Sequence, residues 1–332
     1  MEDIFILHKP TNEFFYLDVS ESFTITDNTL IPWVDLTYTK APSKVQATAC
    51  NGGKNNDIIF IFGGSVYNQS FFNQFDTSKQ QWSDIISVGN VPTDRYLISC
   101  ANFNNGMTTI FSGVNRINDL WIFNSLSLTW NLSNATNAPP SREGYSAITL
   151  PNNNILYIGG KNSYNPFKYM PMNILPLYNT KSDTWEILSI SDPTPPARSY
   201  FSAVLTPDGR IIIFGGDNGT TFGDLWILDI VTFQWSIGNI LNPIADLTLS
   251  DHTATLVNNY MFVAFGRFSN LSYSSRIFML NVNQKDSYNW VTEFTSNLTI
   301  SNNTIPSDTN FIAIGSKNIN LIIGVIIGGE AK

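Results

Sequence analysis

Histidine, cysteine and charge are scarce in this chain of 332 residues, which carries two histidines, two cysteines and 13% charged side chains. Cys50 and Cys100 are too few for a disulfide framework and lack the CxxC spacing of zinc and redox sites. Each ends an apolar strand-like run, ATAC and LISC, so buried free thiols are expected, with one disulfide as the alternative. Lys and Arg number 18 against 26 Asp and Glu, a net charge of −8 with no basic cluster, so nucleic acid is excluded as a partner. Long apolar runs are missing as well. The start, MEDIFILHKP, is acidic where an export signal is basic, and LIIGVIIGG (321–329) is about half of a membrane span. No nucleophile elbow, phosphate-cradling glycine loop or HExxH motif occurs, and carboxylates are spread too evenly for an acid–base dyad.

What is present is a large apolar fraction, 43%, and a repeat. Trp33, Trp82, Trp130, Trp185, Trp235 and Trp290 recur at intervals of 49, 48, 55, 50 and 55 residues. Before each tryptophan lies a strand whose last apolar residue is followed by Asp or Asn: Leu17-Asp18, Phe75-Asp76, Phe123-Asn124, Tyr178-Asn179, Leu228-Asp229 and Leu280-Asn281. An Asx side chain bonds the backbone two residues on and opens a turn, so each pattern predicts a hairpin with Trp on its second strand. Upstream of each hairpin an apolar run ends in glycine, as in IIFIFGG (58–64), ILYIGG (155–160) and IIIFGG (211–216). A further short strand precedes it, giving four per unit. Strands in fours at a period near 50 residues predict propeller blades.

The run from Gly113 to Trp130, and Gly215, Gly216, Gly223, Asp224, Leu225, Trp226, Asp229 and Trp235, resemble the Kelch motif. The resemblance spans nearly the whole chain. It implies an all-β, six-bladed Kelch-type propeller, four antiparallel strands per blade, over residues 1–316, its ring closed by pairing N- and C-terminal segments. Ser112 replaces one glycine of a pair, Ala264-Phe265-Gly266 keeps one, and His8-Lys9 stands where the first pair belongs, so those blades are expected to be looser. Residues 3–19 superimpose on 57–76, so Ile4–Leu7 would form strand two of the first blade, with NFIAIG (310–315) supplying the missing strand. Residues 317–332 are read as a closing strand, displacing Ile4–Leu7, or as the start of a truncated membrane anchor.

Some Kelch-type propellers are oxidases similar to galactose oxidase, whose copper site needs two histidines, two tyrosines and a cysteine cross-linked to tyrosine. His8 and His252 sit at unrelated positions, and the cysteines lie on inner strands, so that site is not assembled and no cofactor is expected. His252 occupies the place of Tyr145 and Phe201 in other repeats, which suits a packed structural histidine.

Arginine introduces the first strand of three units: Arg95, Arg142 and Arg198, each following a proline, with Lys44 after Pro42 as a weaker copy. In Kelch-like adaptors of ubiquitin ligases a similar position reaches acidic peptides. The alternative for any one arginine is a carboxylate partner that pins its blade. Loops after the glycine pairs open on the same face and carry Tyr67, Arg116, Tyr164, Tyr169, Phe222, Arg267 and Tyr273, residue types favoured at contact sites. The expectation is a non-catalytic scaffold that binds a protein or peptide, an acidic one if the arginines are offered to it. The competing classes are an oxidase-like or carbohydrate-active enzyme and a cell-surface ectodomain that binds glycans. A membrane enters only if the apolar tail continues as an anchor. Seven Asn-x-Ser/Thr sequons are present, the number this Asn-, Ser- and Thr-rich composition gives by chance, so their count decides nothing.

Overall fold

The computed structural model describes residues 12–64, 70–83, 85, 89–104, 106–114, 117–164, 167–296 and 321–324. Five sheets have four antiparallel strands each, taken in chain order from the inside outwards. In the Trp82 sheet these are Ala47–Gly52, Ile58–Gly63, Phe72–Asp76 and Gln81–Ser83. The Trp130, Trp185, Trp235 and Trp290 sheets repeat the arrangement, beginning at Cys100–Phe103, Ser146–Thr149, Ser202–Leu205 and Thr253–Val257.

The predicted hairpins form with one common register. Opposite the tryptophan stands the named apolar residue in every case: Leu17, Phe75, Phe123, Tyr178, Leu228 and Leu280. All six Asx turns are made. Asp229 Oδ1, for example, accepts the Val231 and Thr232 amides, and Asp18 Oδ1 accepts that of Ser20. The indoles then cross the seams. Trp82 meets Phe14 at 5.0 Å between ring centroids, Trp130 meets Phe62, Trp185 meets Phe111, and Trp290 meets Phe214. Trp235 donates Nε1–H to the Met172 carbonyl across its own seam. Truncating a buried tryptophan of this kind costs about 3–5 kcal/mol.

The first tryptophan belongs to a sheet of which three strands are described, in the order Leu321–Gly324, Phe15–Asp18, Trp33–Asp35. It lies between the Trp290 and Trp82 sheets. On one side Leu17 and Val19 pack with Phe262 and Met279, and on the other Phe14 and Leu36 pack with Ile59, Ile61 and Phe75. Phe23–Thr24 also pairs with Glu293–Phe294. The position expected for Ile4–Leu7, beside Phe15–Asp18, is taken by Leu321–Gly324, the displacement weighed as the alternative. Residues 1–11 and 310–315 lie outside the described residues.

Adjacent blades are joined near the axis by backbone bonds that the repeat pattern did not reveal. The Gly64, Gly113, Gly160 and Gly216 amides donate to the carbonyls of Arg95, Arg142, Arg198 and Leu249, each in the next blade. A second series runs Asp251 N–H to Tyr200, Tyr200 to Gly144, Gly144 to Leu97 and Leu97 to Gln46, at 2.8–2.9 Å, and all five residues have φ between +56° and +59°. Ser112, expected to slacken its blade, is instead fully buried, with Oγ accepting the Arg142 amide.

The expected free thiols are a disulfide: Cys50 and Cys100 are bonded, joining the innermost strands of two neighbouring blades. Equivalent positions one repeat apart face each other across a seam, which is why two apolar strand ends meet.

Gly215 has φ +65°, and a Cβ there would run into the Leu249 carbonyl oxygen. Gly219, at φ +98°, has open space around it. Gly215→Ala is therefore expected to cost about 3 kcal/mol or more and Gly219→Ala about 1 kcal/mol. Denaturant unfolding of both variants checks this, and equal losses would show that the close approach is not what requires glycine.

Candidate functional site

Arg95 and Arg198 are fully buried, and their guanidinium groups turn into their own blades. Arg95 forms a two-pronged pair with Asp119 at 2.5 and 3.2 Å, and Arg198 with Asp224 at 2.6 and 2.9 Å. The same carboxylates accept the indole N–H of Trp121 and Trp226. The Asp-Leu-Trp part of the repeat thus closes an Arg–Asp–Trp clasp, held by charge-assisted bonds of the stronger kind. These carboxylates face outward, with side chains 26% and 37% exposed.

Arg142 differs. It is 4% exposed, donates to the Pro140 and Gly159 carbonyls at 3.4 Å, and has no ion pair among the described residues. The hairpin register shows why: counted back from Tyr178, the places of Asp and Trp in the clasp hold Ile174 and Pro176. Burial without a carboxylate pulls the guanidinium down to a pKa of about 10. Lys44 is likewise buried, donates to the Gly63 and Ser70 carbonyls, and is drawn down to about 8 by burial, against a smaller opposing pull from Asp94.

The mouth at this end is lined by the residues one or two after the arginines, with Glu143 buried and Tyr96 and Tyr200 half-buried, and by the post-glycine loops. Tyr200 is its hub. Its hydroxyl is held well above the ordinary tyrosine range by burial first, then by Glu143 and Asp251, with Arg267 opposing. Lys161 Nζ sits 4.8 Å from the Tyr200 ring centroid and 6.0 Å from that of Phe167, and lies 3.9 Å from Glu143 Oε1. Such placement of an ammonium over rings is a cation–π contact. Glu143 accepts the Ser163 hydroxyl at 2.5 Å, and Arg267 pairs with Asp251 at 3.6 Å. Burial and the nearby Glu143 raise Tyr96, and burial and Asp217 raise Tyr169.

Of the loop residues singled out in the sequence, Tyr164, Tyr169, Arg267 and Tyr273 fall on this face. Arg267 and Tyr273 bridge within one hairpin, and Tyr169 stacks edge-on with Phe167 at 5.0 Å. Phe222 lies 4.1 Å over the Arg198 guanidinium and covers it. Tyr67 and Arg116 lie outside the described residues. Tyr96, Glu143, Lys161, Tyr200 and Asp251 were not anticipated, although four of them directly follow the repeated arginine position, at the first or second residue. No group of three or more His, Cys, Asp or Glu side chains able to hold a metal occurs among the described residues. Nor is any described helix long and apolar enough to cross a membrane.

Four-stranded sheets with seam-crossing indoles, glycine-ended second strands and Arg–Asp–Trp clasps define a Kelch-type propeller. The model of the KLHDC2/KLHL20/DRC7 Kelch-repeats domain matches residues 8–206 and 164–328, and the chain belongs to that family. It is 26% identical over 245 residues, 66% of its length, to host cell factor homolog hcf-1 of Caenorhabditis elegans. It is 29% identical over 182 residues, 51% of its length, to tip elongation aberrant protein 1 of Schizosaccharomyces pombe. The matched regions are 31% and 15% of those proteins, so the chain corresponds to a third of their length or less.

His252 is a packed residue of this scaffold, its Nε2 bonded to Ser202 Oγ at 2.8 Å and its ring edge-on to Phe214. Burial lowers its pKa from 6.5 to about 4. The folded state keeps the ring neutral, so the unfolded chain takes up the proton first. Stability is full above pH 6.5, falls as pH drops from 6.5 towards 4, and loses about 3 kcal/mol over that window. His252→Phe, which copies Phe201 of the preceding blade, is expected to abolish this component of the pH dependence. Unfolding of both proteins at pH 7 and pH 4 measures it, and an unchanged dependence would refute it.

Proposed function

We propose that the chain is a six-bladed propeller acting as a non-catalytic binding scaffold, with Leu321–Gly324 serving as a closing strand. A protein or peptide partner docks across the tyrosine-lined mouth and places a carboxylate against Arg142. One observation carries this reading. Three blades place an arginine at the same point, two supply the answering aspartate, and the third leaves a buried guanidinium without one. A buried charge left unpaired costs several kcal/mol, which an incoming carboxylate relieves. In the sister blades that carboxylate position is open to solvent, so a partner can reach its equivalent. Membership of the Kelch-repeat family supports a binding propeller.

The oxidase reading requires a cysteine free to join a tyrosine, and both cysteines of this chain are bonded to each other. Glycan binding at the mouth has no comparable observation in its favour.

Ile174→Asp supplies the missing carboxylate within the chain. It is expected to raise the melting temperature and to weaken binding of an acidic peptide, selected on the wild-type protein, at least tenfold, about 1.4 kcal/mol. Arg142→Met is expected to weaken the same peptide by as much. If the folded Ile174→Asp protein binds that peptide as tightly as wild type, or if no acidic peptide is selected, the assignment fails.

A further inference from the structure

We propose that Asn270 carries an N-linked glycan, acquired as the chain passes through an oxidising secretory compartment. Two independent observations carry this. The first is the Cys50–Cys100 disulfide, which uses both cysteines of the chain to bond one blade to the next. Such bonds persist in secretory compartments and are rare where glutathione and thioredoxin keep thiols reduced.

The second is the local geometry of one sequon. Asn270-Leu271-Ser272 forms the tip of a hairpin whose base is the Arg267 and Tyr273 bridge. The Leu271 amide donates to the Phe268 carbonyl, and the Phe268 amide to the Ser272 carbonyl. Leu271 is 58% exposed and Asn270 is exposed beside it. Asn270 Oδ1 accepts both the Ser272 amide at 3.0 Å and the Ser272 hydroxyl at 2.6 Å. The sequon hydroxyl therefore already polarises the carboxamide towards oxygen, which makes Nδ2 easier to deprotonate. All these bonds span four residues or fewer, so the same turn can form on a chain still being made. The other described sequons lack this arrangement: Asn131 lies within the strand Thr129–Leu132, Asn218 is half-buried, and at Asn134 it is the backbone N–H that is bonded, to Asp183 Oδ2.

In the transfer, Nδ2 bonds to the anomeric carbon of a lipid-linked oligosaccharide as that carbon's bond to pyrophosphate breaks. One Nδ2 proton passes to a base, the lipid pyrophosphate departs, and nothing is oxidised or reduced. The disulfide forms separately, two thiols giving two electrons and two protons to a disulfide oxidant of the same compartment. A glycan at Asn270 stands beside Arg267 and Tyr273 and would limit the direction from which a partner approaches the mouth.

The test is peptide mapping of the native protein under non-reducing conditions, with and without peptide N-glycosidase. The expected result is a peptide in which Asn270 is converted to aspartate only on enzymatic release, and a Cys50 peptide joined to a Cys100 peptide. Ser272→Ala is expected to lose the glycan and its electrophoretic shift, and Ser272→Thr, which restores the hydroxyl, to keep both. An unmodified Asn270 peptide throughout the native protein, or Cys50 and Cys100 recovered as separately alkylated thiols, would overturn the proposal.

Discussion

The axial run of hydrogen bonds from Asp251 through Tyr200, Gly144 and Leu97 to Gln46 fixes where everything else at the mouth stands. Each link needs a residue at positive φ two positions after the arginine position, a conformation that costs a non-glycine residue about 1 kcal/mol or more. Four of the five positions accept that cost with side chains attached. Gly144 is the exception because the Tyr200 ring lies where its Cβ would be, 2.6 Å away. The bonds hold Tyr200 and Asp251 at the rim. They also aim the arginine two residues earlier into its blade, where Arg95 and Arg198 find aspartate and Arg142 does not.

Packing and chemistry are thereby divided between two ends of one short segment. The arginine side chain serves the scaffold, and the following one or two residues serve the surface. This division explains why a ring of arginines on an acidic chain does not make a cationic mouth: two of the three charges are neutralised inside, and the mouth mixes buried Glu143 and the partly exposed Asp217 and Asp251 with Lys161 and Arg267. What distinguishes one sector of the mouth is a missing partner. Where the Arg95 and Arg198 blades have Asp119 and Asp224, this blade has Ile174, and the buried Arg142 has no ion pair among the described residues.

The blade repeat was legible because the tryptophan ladder and its Asx turns recur in register, and a hairpin is a local structure that its own residues specify. Inter-blade bonds were not legible. They depend on backbone angles that Gln46, Leu97, Tyr200 and Asp251 do not advertise, since none is a residue type that prefers positive φ except the aspartate. The clasp was half visible: Arg95 and Arg198 stood out, but their partners Asp119 and Asp224 lie 24 and 26 residues on, and only the folded hairpin brings them back. The disulfide could have been inferred from the repeat itself. Cys50 and Cys100 are 50 residues apart, close to one period, which puts both on innermost strands of adjacent blades.

Amide hydrogen exchange tests the axial series most directly. If these bonds organise the mouth, the N–H groups of Leu97, Gly144, Tyr200 and Asp251 exchange only with global unfolding, as slowly as the buried second strands. Fast exchange at these four amides, with the strands still protected, would mean that the blades stand together without them and that the mouth is not positioned as described.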